Sequence, residues 1–151
     1  MTTIINPDIV FLDVAVPTAT KKEALKIISK KISGATDLPV SKLFNGFSDR
    51  EKLSTTGFGS GFAIPHTKIK NGQGLVAFFR FSHPIPWEAM DDEPITTAIA
   101  LVMPEADQSN QHLKMISKLA RLLMHDEFIE TLHSLNTEAT ITEYLNMKLE
   151  D

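Results

Sequence analysis

His66 follows a segment whose residue types suit chemistry at an imidazole ring. Glycines alternate at positions 57, 59 and 61, and glycine backbone can approach other groups closely. The apolar run 62–64 predicts a short buried strand, which Pro65 ends because proline has no N–H for a ladder hydrogen bond. Exposed backbone N–H groups form concavities that bind anions. The pattern therefore predicts a loop in which His66 lies beside a concavity that suits an anion such as phosphate.

The stretch 55–68, TTGFGSGFAIPHTK, resembles the active-site segment of the fructose/mannitol-type enzyme IIA proteins of the bacterial sugar phosphotransferase system. In that family the histidine of the G-x-A-I-P-H motif carries a phosphoryl group, so the resemblance implies this role for His66. Without the resemblance, a surface histidine beside turn glycines would be the default interpretation. Thr67 stands where many members have glycine, and Thr67 and Lys68 are interpreted as loop residues close to the site.

His112 begins the segment HLKMISKLA, at the border of the apolar stripe of a predicted helix. By itself, this position is typical of a partly buried packing residue. The segment resembles the family motif H-L-x-x-[LI]-x-x-L-A, whose histidine lies beside the phosphorylated one. The N-terminus of a helix also favours an anion through its dipole and unpaired N–H groups. The resemblance implies that His112 orients and stabilises phospho-His66.

Arg50 lies in a polar segment, 48–51, that follows the apolar stripe of the second predicted helix and precedes the glycine stretch. A solvated surface cation is the alternative interpretation. Arg50 and Glu51 match an R-E pair of the family, whose arginine is placed to contact the phosphoryl group. The guanidinium fork matches the geometry of phosphate oxygens. The resemblance therefore implies a phosphoryl contact for Arg50.

Trp87, with Asp91 and Asp92, lies in the segment PWEAMDDEP, which resembles the family pattern W-x-x-x-D-x-x-P. We interpret this segment as one that shapes a loop and does not react. The tryptophan favours the sugar-transport branch of the family over its regulatory branch.

The composition limits the classes of function that the chain can have. It has 151 residues, 42% of them hydrophobic and 23% charged, which is typical of one ordinary globular domain. A formal charge of −4 without a basic cluster argues against binding to nucleic acid or anionic membranes. There is no cysteine, no H-E-x-x-H motif and no secretory signal pattern. We expect a cytoplasmic protein without a metal site or a cofactor.

Apolar periodicity predicts strands and helices distributed over the whole chain. The predicted strands are 9–16, 62–64, 75–81 and 95–103. Five helices are predicted. The first begins at a Thr20–Glu23 capping box and ends before Gly34, and the second begins at Asp37 and Pro39. The third begins at Ser109, the fourth at Asp126, and the fifth after a cap at Asn136 or Thr137. This mixture indicates an α/β domain spanning residues 1–151. The resemblance implies a mixed sheet with helices on both faces and the histidine loop near its edge.

The resemblance also implies a mechanism and partners. His66 would attack the phosphohistidine of the general phosphocarrier HPr and pass the group to a cysteine of enzyme IIB, which phosphorylates sugar entering through the membrane component IIC. No separate cofactor takes part. Both partners must reach His66, which predicts an apolar rim, with Phe58 and Phe62 as candidates that could equally belong to the core.

The substrate stays open at this point. Fructose is the leading prediction, with mannitol, galactitol or another hexitol as alternatives. A nitrogen-type regulatory enzyme IIA, phosphorylated on the same histidine and acting by binding other proteins, is the competing hypothesis. A purely structural module is the third, and the combination of Arg50, His66 and His112 argues against it.

Overall fold

A computed structural model describes residues 9–70, 74–106 and 111–149, with residues 111 and 112 described at the backbone only. Its strands are β1 (Val10–Val14), β2 (Gly57–Gly59), β3 (Phe62–Ala63), β4 (His66–Ile69), β5 (Leu75–Ile85) and β6 (Ile95–Pro104). Its helices are α1 (Lys21–Thr36), α2 (Val40–Leu53), α3 (Gln111–Leu122), α4 (Asp126–Ser134) and α5 (Glu138–Leu149). None of the helices in these ranges has the length and apolar character needed to cross a bilayer.

The strands form one six-stranded mixed sheet. Its order is β1-β5-β6-β3-β2, and β4 also pairs with β6. β1 runs parallel to β5, and β3 and β4 run parallel to β6, whereas β5–β6 and β2–β3 are antiparallel. Consecutive residues of β5 and β6 are buried, which requires cover on both faces of a sheet whose side chains alternate. The predicted single-domain fold, a mixed sheet between helices, is confirmed.

The boundary between the first two helices differs from the prediction. Thr20 caps α1 by accepting a hydrogen bond from the Glu23 N–H at 3.2 Å, as expected. The helix then continues through Gly34, and Asp37 ends it in the left-handed region at φ 70°. Asp37 therefore closes α1 and does not open α2. A short polar side chain tolerates this conformation, which the sequence alone did not reveal.

α2 extends further than its apolar stripe predicted. The segment 48–51 was expected to follow the helix, but α2 continues to Leu53 and ends at Ser54. Arg50 and Glu51 therefore lie on the last turns of a helix. Their side chains project from a regular element, which limits where each can reach.

The segment around Pro65 also differs from the prediction. We expected a strand that ends there and a histidine in a loop, but His66 begins a second strand, β4. β3 pairs with the first half of β6, and β4 pairs with its second half, with His66 opposite Leu101. The Pro65 carbonyl accepts a hydrogen bond from the Leu101 N–H at 2.9 Å. Proline thus interrupts the strand without ending the sheet, because its carbonyl still takes part in the ladder.

The C-terminal helices follow the predicted periodicity. Met115 and Leu119 are buried on α3, and Leu123, directly after the helix, is buried as well. Leu113 is 53% exposed. Thr137 is the cap of α5, since its hydroxyl oxygen accepts a hydrogen bond from the Thr140 N–H at 3.2 Å. The choice that the sequence left between Asn136 and Thr137 is therefore decided for Thr137.

Candidate active site

The His66 ring is held by the backbone that leads into it. His66 is half-buried at the first position of β4, directly after the bend at 64–65. Its Nδ1 atom lies 2.8 Å from the carbonyl oxygen of Ile64. The Ile64 N–H in turn donates to the Thr56 carbonyl oxygen at 2.9 Å. The imidazole is therefore anchored to a backbone segment that is itself fixed in the sheet.

The neighbours of the two ring nitrogens define the tautomer of His66. The Arg50 Nε–H donates to His66 Nε2, with 2.9 Å between the nitrogens. A guanidinium has only donors, so Nε2 must present its lone pair. The proton then resides on Nδ1 and is donated to the Ile64 carbonyl oxygen. Nε2 is therefore the nucleophilic nitrogen of this imidazole, a distinction that the sequence could not make.

Arg50 approaches His66 from the carboxyl end of α2. Besides its contact with His66, it donates through Nη1 to the Ser54 carbonyl oxygen at 2.9 Å, which caps the end of the helix. Two N–H groups of one planar fork thus bind a backbone oxygen of the same turn and the imidazole. This arrangement holds the positive charge against the nucleophilic nitrogen.

No carboxylate of the described residues forms an ion pair with Arg50. Within residues 9–70, 74–106 and 111–149, the ion pairs are Lys21 with Glu51 and Lys52 with Asp49, and neither involves Arg50. An arginine without a carboxylate partner can bind an incoming anion at no cost of breaking an ion pair. This favours a phosphoryl group beside His66 Nε2.

A cavity of about 480 Å³ lies in front of these groups. Its polar lining consists of Asp49, Arg50, His66, Thr67 and Lys68. Its apolar lining, with Gly46, consists of Leu53, Leu101, Met103, Leu113 and Ile116. The cavity therefore joins α2, β4, β6 and the start of α3, and combines a nucleophile and two cations with an apolar wall.

His112 lies in the first turn of α3, and its side chain falls outside the described part of the structure. Leu113 and Ile116, which follow it, line the same cavity as His66. The start of α3 thus flanks the site, whereas the orienting role of His112 stays a prediction.

Glu51 points away from His66 into a buried cluster of donors. Its carboxylate accepts from the Thr56 N–H at 2.8 Å, the Thr56 hydroxyl at 2.5 Å and the Trp87 indole N–H at 3.2 Å. Lys21 on α1 contributes a fourth contact at 3.3 Å. Trp87 is buried, so it shapes its loop, as predicted, and does not face the cavity. The sequence pairs Glu51 with Arg50, but nothing in it pointed to this cluster.

The glycines of the motif allow close packing around a hairpin, whereas the sequence predicted that they line an anion site. β2 and β3 form a tight hairpin, and a Cβ atom on Gly57 would lie 2.7 Å from the Ala89 side chain. At the hairpin tip the Ser60 N–H donates to Asp91 at 3.0 Å, which lowers the pKa of that carboxyl group. None of the three glycines at 57, 59 and 61 lines the cavity. The predicted glycine-lined anion site is therefore wrong, because Gly57 and Gly59 face the loop that contains Trp87 and Gly61 faces Thr96 on β6.

The predicted apolar rim exists with different members. Phe62 is fully buried and Phe58 packs against the core, so neither faces the cavity. Leu53 and Leu113 are exposed to 81% and 53% and both line it. Leu53 follows the segment that contains Arg50, and Leu113 follows His112. This closeness in sequence to predicted site residues was the one signal that could have identified them as rim residues. In the described ranges, no three histidine, aspartate or glutamate side chains gather as metal ligands.

The fold and the cavity together define a class: a mixed α/β domain in which an arginine donates a hydrogen bond to a histidine at the edge of a surface cavity. The family model described as phosphoenolpyruvate-dependent sugar phosphotransferase system, EIIA 2, matches residues 3–148. The chain belongs to this family.

Two relatives in Escherichia coli match the chain in sequence. A nitrogen regulatory protein is 37% identical over 106 residues, which cover 69% of this chain and 64% of the relative. A fructose-like EIIA component is 39% identical over 95 residues, which cover 61% of this chain and 62% of the relative. The matched part of the chain thus spans less than two thirds of the length of either relative.

Two solved structures match nearly the whole fold. The nitrogen regulatory protein IIA-Ntr from Neisseria meningitidis superposes with a TM-score of 0.81 and 28% identity, over 95% of this chain and 94% of that one. The mannitol enzyme IIA of Escherichia coli, in a complex with its phosphorylated enzyme IIB, has a TM-score of 0.73 and 20% identity, over 97% of both chains. At 20% identity the second likeness concerns the fold alone.

Proposed function

We propose that this protein is a phosphocarrier that accepts a phosphoryl group on Nε2 of His66 and passes it to another protein. One observation carries the proposal: Arg50 donates to Nε2 while Nδ1 donates to Ile64, at the edge of a surface cavity. Family membership supports phosphoryl transfer as the chemistry. The expected donor is the phosphohistidine of HPr, and the cytoplasm is the expected location.

In the first half of the reaction, the Nε2 lone pair attacks the phosphorus atom of the donor phosphohistidine. The P–N bond of the donor breaks, and its electron pair returns to the donor imidazole. The Nδ1–H of His66 donates to the Ile64 carbonyl oxygen throughout, so no proton has to move before attack. This fixed tautomer contributes to catalysis by orienting the nucleophile in advance.

The Arg50 guanidinium then changes partner. In the unphosphorylated protein its Nε–H contacts the Nε2 lone pair, which the new P–N bond replaces. The same fork lies within reach of the phosphoryl oxygens, where charge-assisted hydrogen bonds are strong. We assign His112 the accessory role of orienting phospho-His66, as the family resemblance implies. In the second half, an acceptor attacks phosphorus and the bonding pair returns to His66 Nε2.

The acceptor distinguishes two candidate functions. In the first, a cysteine of a sugar-specific enzyme IIB accepts the group for uptake through IIC, with fructose as the leading substrate and a hexitol such as mannitol or galactitol as the alternative. Similarity to the fructose-like EIIA component supports it. In the second, phosphorylation controls the binding of regulatory partners. Similarity to proteins named nitrogen regulatory supports this function.

Phosphorylation by phosphoenolpyruvate, enzyme I and HPr tests the chemistry, read as intact mass. Wild type should gain one phosphoryl group, and His66→Ala should gain none. His83→Ala is the matched control, since His83 is exposed on β5 and does not line the cavity. A wild type that stays unmodified, or a phosphorylated His66→Ala protein, would refute the proposal.

A chase with candidate acceptors then separates the two functions. Loss of the phosphoryl group to a fructose-specific or hexitol-specific IIB would support sugar transport and identify its branch. A phosphorylated protein that no IIB discharges would favour the regulatory function. Nitrogen-15 NMR of the phosphorylated ring should place the phosphoryl group on Nε2.

A further inference from the structure

We propose that Glu51 is a positioning residue for phosphoryl transfer, because it fixes the turn of α2 that presents Arg50 to His66. This inference rests on the proposed function of His66. It assigns to Glu51 a role separate from that of its neighbour, which contacts the reacting nitrogen directly. Glu51 itself acts through Arg50.

Glu51 is a buried carboxylate with a complete set of donors. Its side chain is only 6% exposed, and burying a carboxylate without partners is costly. Thr56 supplies two donors, Trp87 one and Lys21 one. These donors come from the residue that precedes β2, the loop before β6 and the start of α1. One side chain thus ties the end of α2 to three other parts of the fold.

The end of α2 depends on this tie. The helix stops at Leu53, and Ser54 is extended at φ −172°. Leu53 is 81% exposed, so the last turn has little apolar packing of its own. Arg50 finds a second anchor at Ser54, but Ser54 belongs to the same turn and moves with it. Glu51 therefore connects this turn to the core from the side opposite His66.

The direction of Glu51 also protects the charge of Arg50. Because its oxygens bind Thr56, Trp87 and Lys21, they are not placed to neutralise the neighbouring guanidinium. The side chains of Arg50 and Glu51 consequently contact opposite surroundings of the same helix turn. Arg50 faces the imidazole, and Glu51 holds the helix from behind.

Glu51→Ala and Glu51→Gln separate positioning from charge. Glutamine can accept from the Thr56 N–H and the Trp87 indole through its oxygen and donate to the Thr56 hydroxyl, so it retains most of the hydrogen bonds. Alanine retains none. We expect Glu51→Ala to transfer the phosphoryl group about tenfold to a hundredfold more slowly, the scale of a displaced catalytic group, and Glu51→Gln to recover most of the rate. The KM for phospho-HPr should stay unchanged.

A second readout needs no phosphorylation. The Arg50 Nε–H proton, assigned by its disappearance in Arg50→Lys, should exchange slowly in wild type and in Glu51→Gln because it is bound to His66. In Glu51→Ala it should exchange fast. Glu130→Gln, an exposed glutamate on α4, is the matched control for removal of a charge. It should leave both the transfer rate and the exchange rate as in wild type.

The outcomes are decisive in each direction. A folded Glu51→Ala protein with the wild-type rate, or with a protected Arg50 Nε–H, overturns the positioning role. If Glu51→Ala does not fold, Glu51→Asp replaces it, since the shorter side chain keeps the carboxylate but withdraws it from its donors. A wild-type rate in Glu51→Asp overturns the inference equally. If wild type accepts no phosphoryl group, the proposed function fails, and the exchange measurement still decides whether Glu51 positions Arg50.

Discussion

Two arginine–histidine pairs in this fold have opposite surroundings. Arg50 donates directly to a ring nitrogen of His66 at the edge of a cavity. Arg80, on β5, donates to the Leu132 carbonyl oxygen at 2.8 Å and lies over the Phe78 ring at 5.7 Å. The His133 ring packs against Phe62, and its pKa is lowered by burial and by the Arg80 charge.

The difference lies in what each guanidinium does with its donors. Arg80 uses one to bind a carbonyl at the end of α4, and burial lowers its own pKa. Arg50 directs a donor at a lone pair that a phosphoryl group could replace, and the opposite ring nitrogen is fixed by Ile64. An arginine near a histidine is therefore not a site by itself. A fixed tautomer, an accessible nitrogen and a charge available to an anion make the difference.

Replacing each arginine separately with glutamine should give the largest difference between the two pairs. Arg50→Gln should slow phosphoryl transfer about a hundredfold to a thousandfold, the usual loss when one donor to a developing charge is removed, with little change in stability. Arg80→Gln should leave transfer unchanged and cost about 1–2 kcal/mol, since it loses a partly buried hydrogen bond. Single-turnover transfer from phospho-HPr and chemical denaturation measure the two quantities.

Equal losses of transfer in both folded variants would contradict the contrast. Arg50→Lys refines it, because lysine keeps the charge but cannot present the planar fork. Its rate should fall between those of wild type and Arg50→Gln.

The sequence predicted most of the fold because strong periodicity and capping residues act locally. The Thr20 cap, the buried strands β5 and β6 and the three C-terminal helices were found in this way. The sequence did not predict that β3 and β4 both pair with β6. Strand order depends on contacts between distant segments, and Pro65 looks like a strand end unless its carbonyl partner on β6 is known.

The same distinction between local patterns and contacts of distant segments applies to the site. The family resemblance of two motifs and an R-E pair indicated His66, His112 and Arg50, and the structure brings His66 and Arg50 together. Local patterns could not reveal that Arg50 reaches His66 from a helix, that Gly57 and Gly59 face the loop containing Trp87, or that the Glu51 side chain is buried. Each of these depends on which side chains face each other across the fold.

Gly46 and Thr67 offer a second way to disturb the active pair without touching it. A Cβ atom on Gly46 would lie 2.0 Å from the Thr67 hydroxyl oxygen and 2.9 Å from its Cβ atom. Gly46→Ala should therefore push β4, and His66 with it, away from α2, at a cost of about 1–3 kcal/mol. Thr67→Gly removes both clashing atoms, so the double variant should recover stability and transfer rate, whereas Thr67→Ala recovers less.

A denaturation double-mutant cycle measures this coupling. Gly34→Ala is the control, because nothing lies within 4 Å of that position, and alanine should stabilise α1 by up to about 1 kcal/mol. Additive effects of Gly46→Ala and Thr67→Gly would show that the two residues do not constrain each other.

The exposed apolar residues give a smaller effect that concerns binding. Leu53 lines the cavity, and Met147 on α5, also exposed, does not. We expect Leu53→Ser to raise the KM for phospho-HPr about fivefold, corresponding to about 1 kcal/mol for an apolar contact in an interface, with an unchanged maximal rate. Met147→Ser should change neither parameter. The opposite pattern would place the docking surface away from the cavity.

His133 gives the smallest effect, which appears in the pH dependence of stability. Burial and the Arg80 charge lower the pKa of His133 in the folded protein, whereas in the unfolded chain it should be about 6.5. As the pH falls below about 6.5, the unfolded chain therefore binds this proton first, and protonation favours unfolding. The loss levels off once His133 is also protonated in the folded state.

His133→Gln should remove this part of the acid sensitivity while leaving phosphoryl transfer intact, so it separates the structural pair from the active one. Because His133 is partly exposed to solvent, which screens the Arg80 charge, we expect only a small loss of stability between neutral pH and pH of about 5. Thermal denaturation across this range measures it, with His83→Gln as the control. A slope unchanged by His133→Gln, or changed equally by His83→Gln, would mean that the folded state does not disfavour the protonated form of His133.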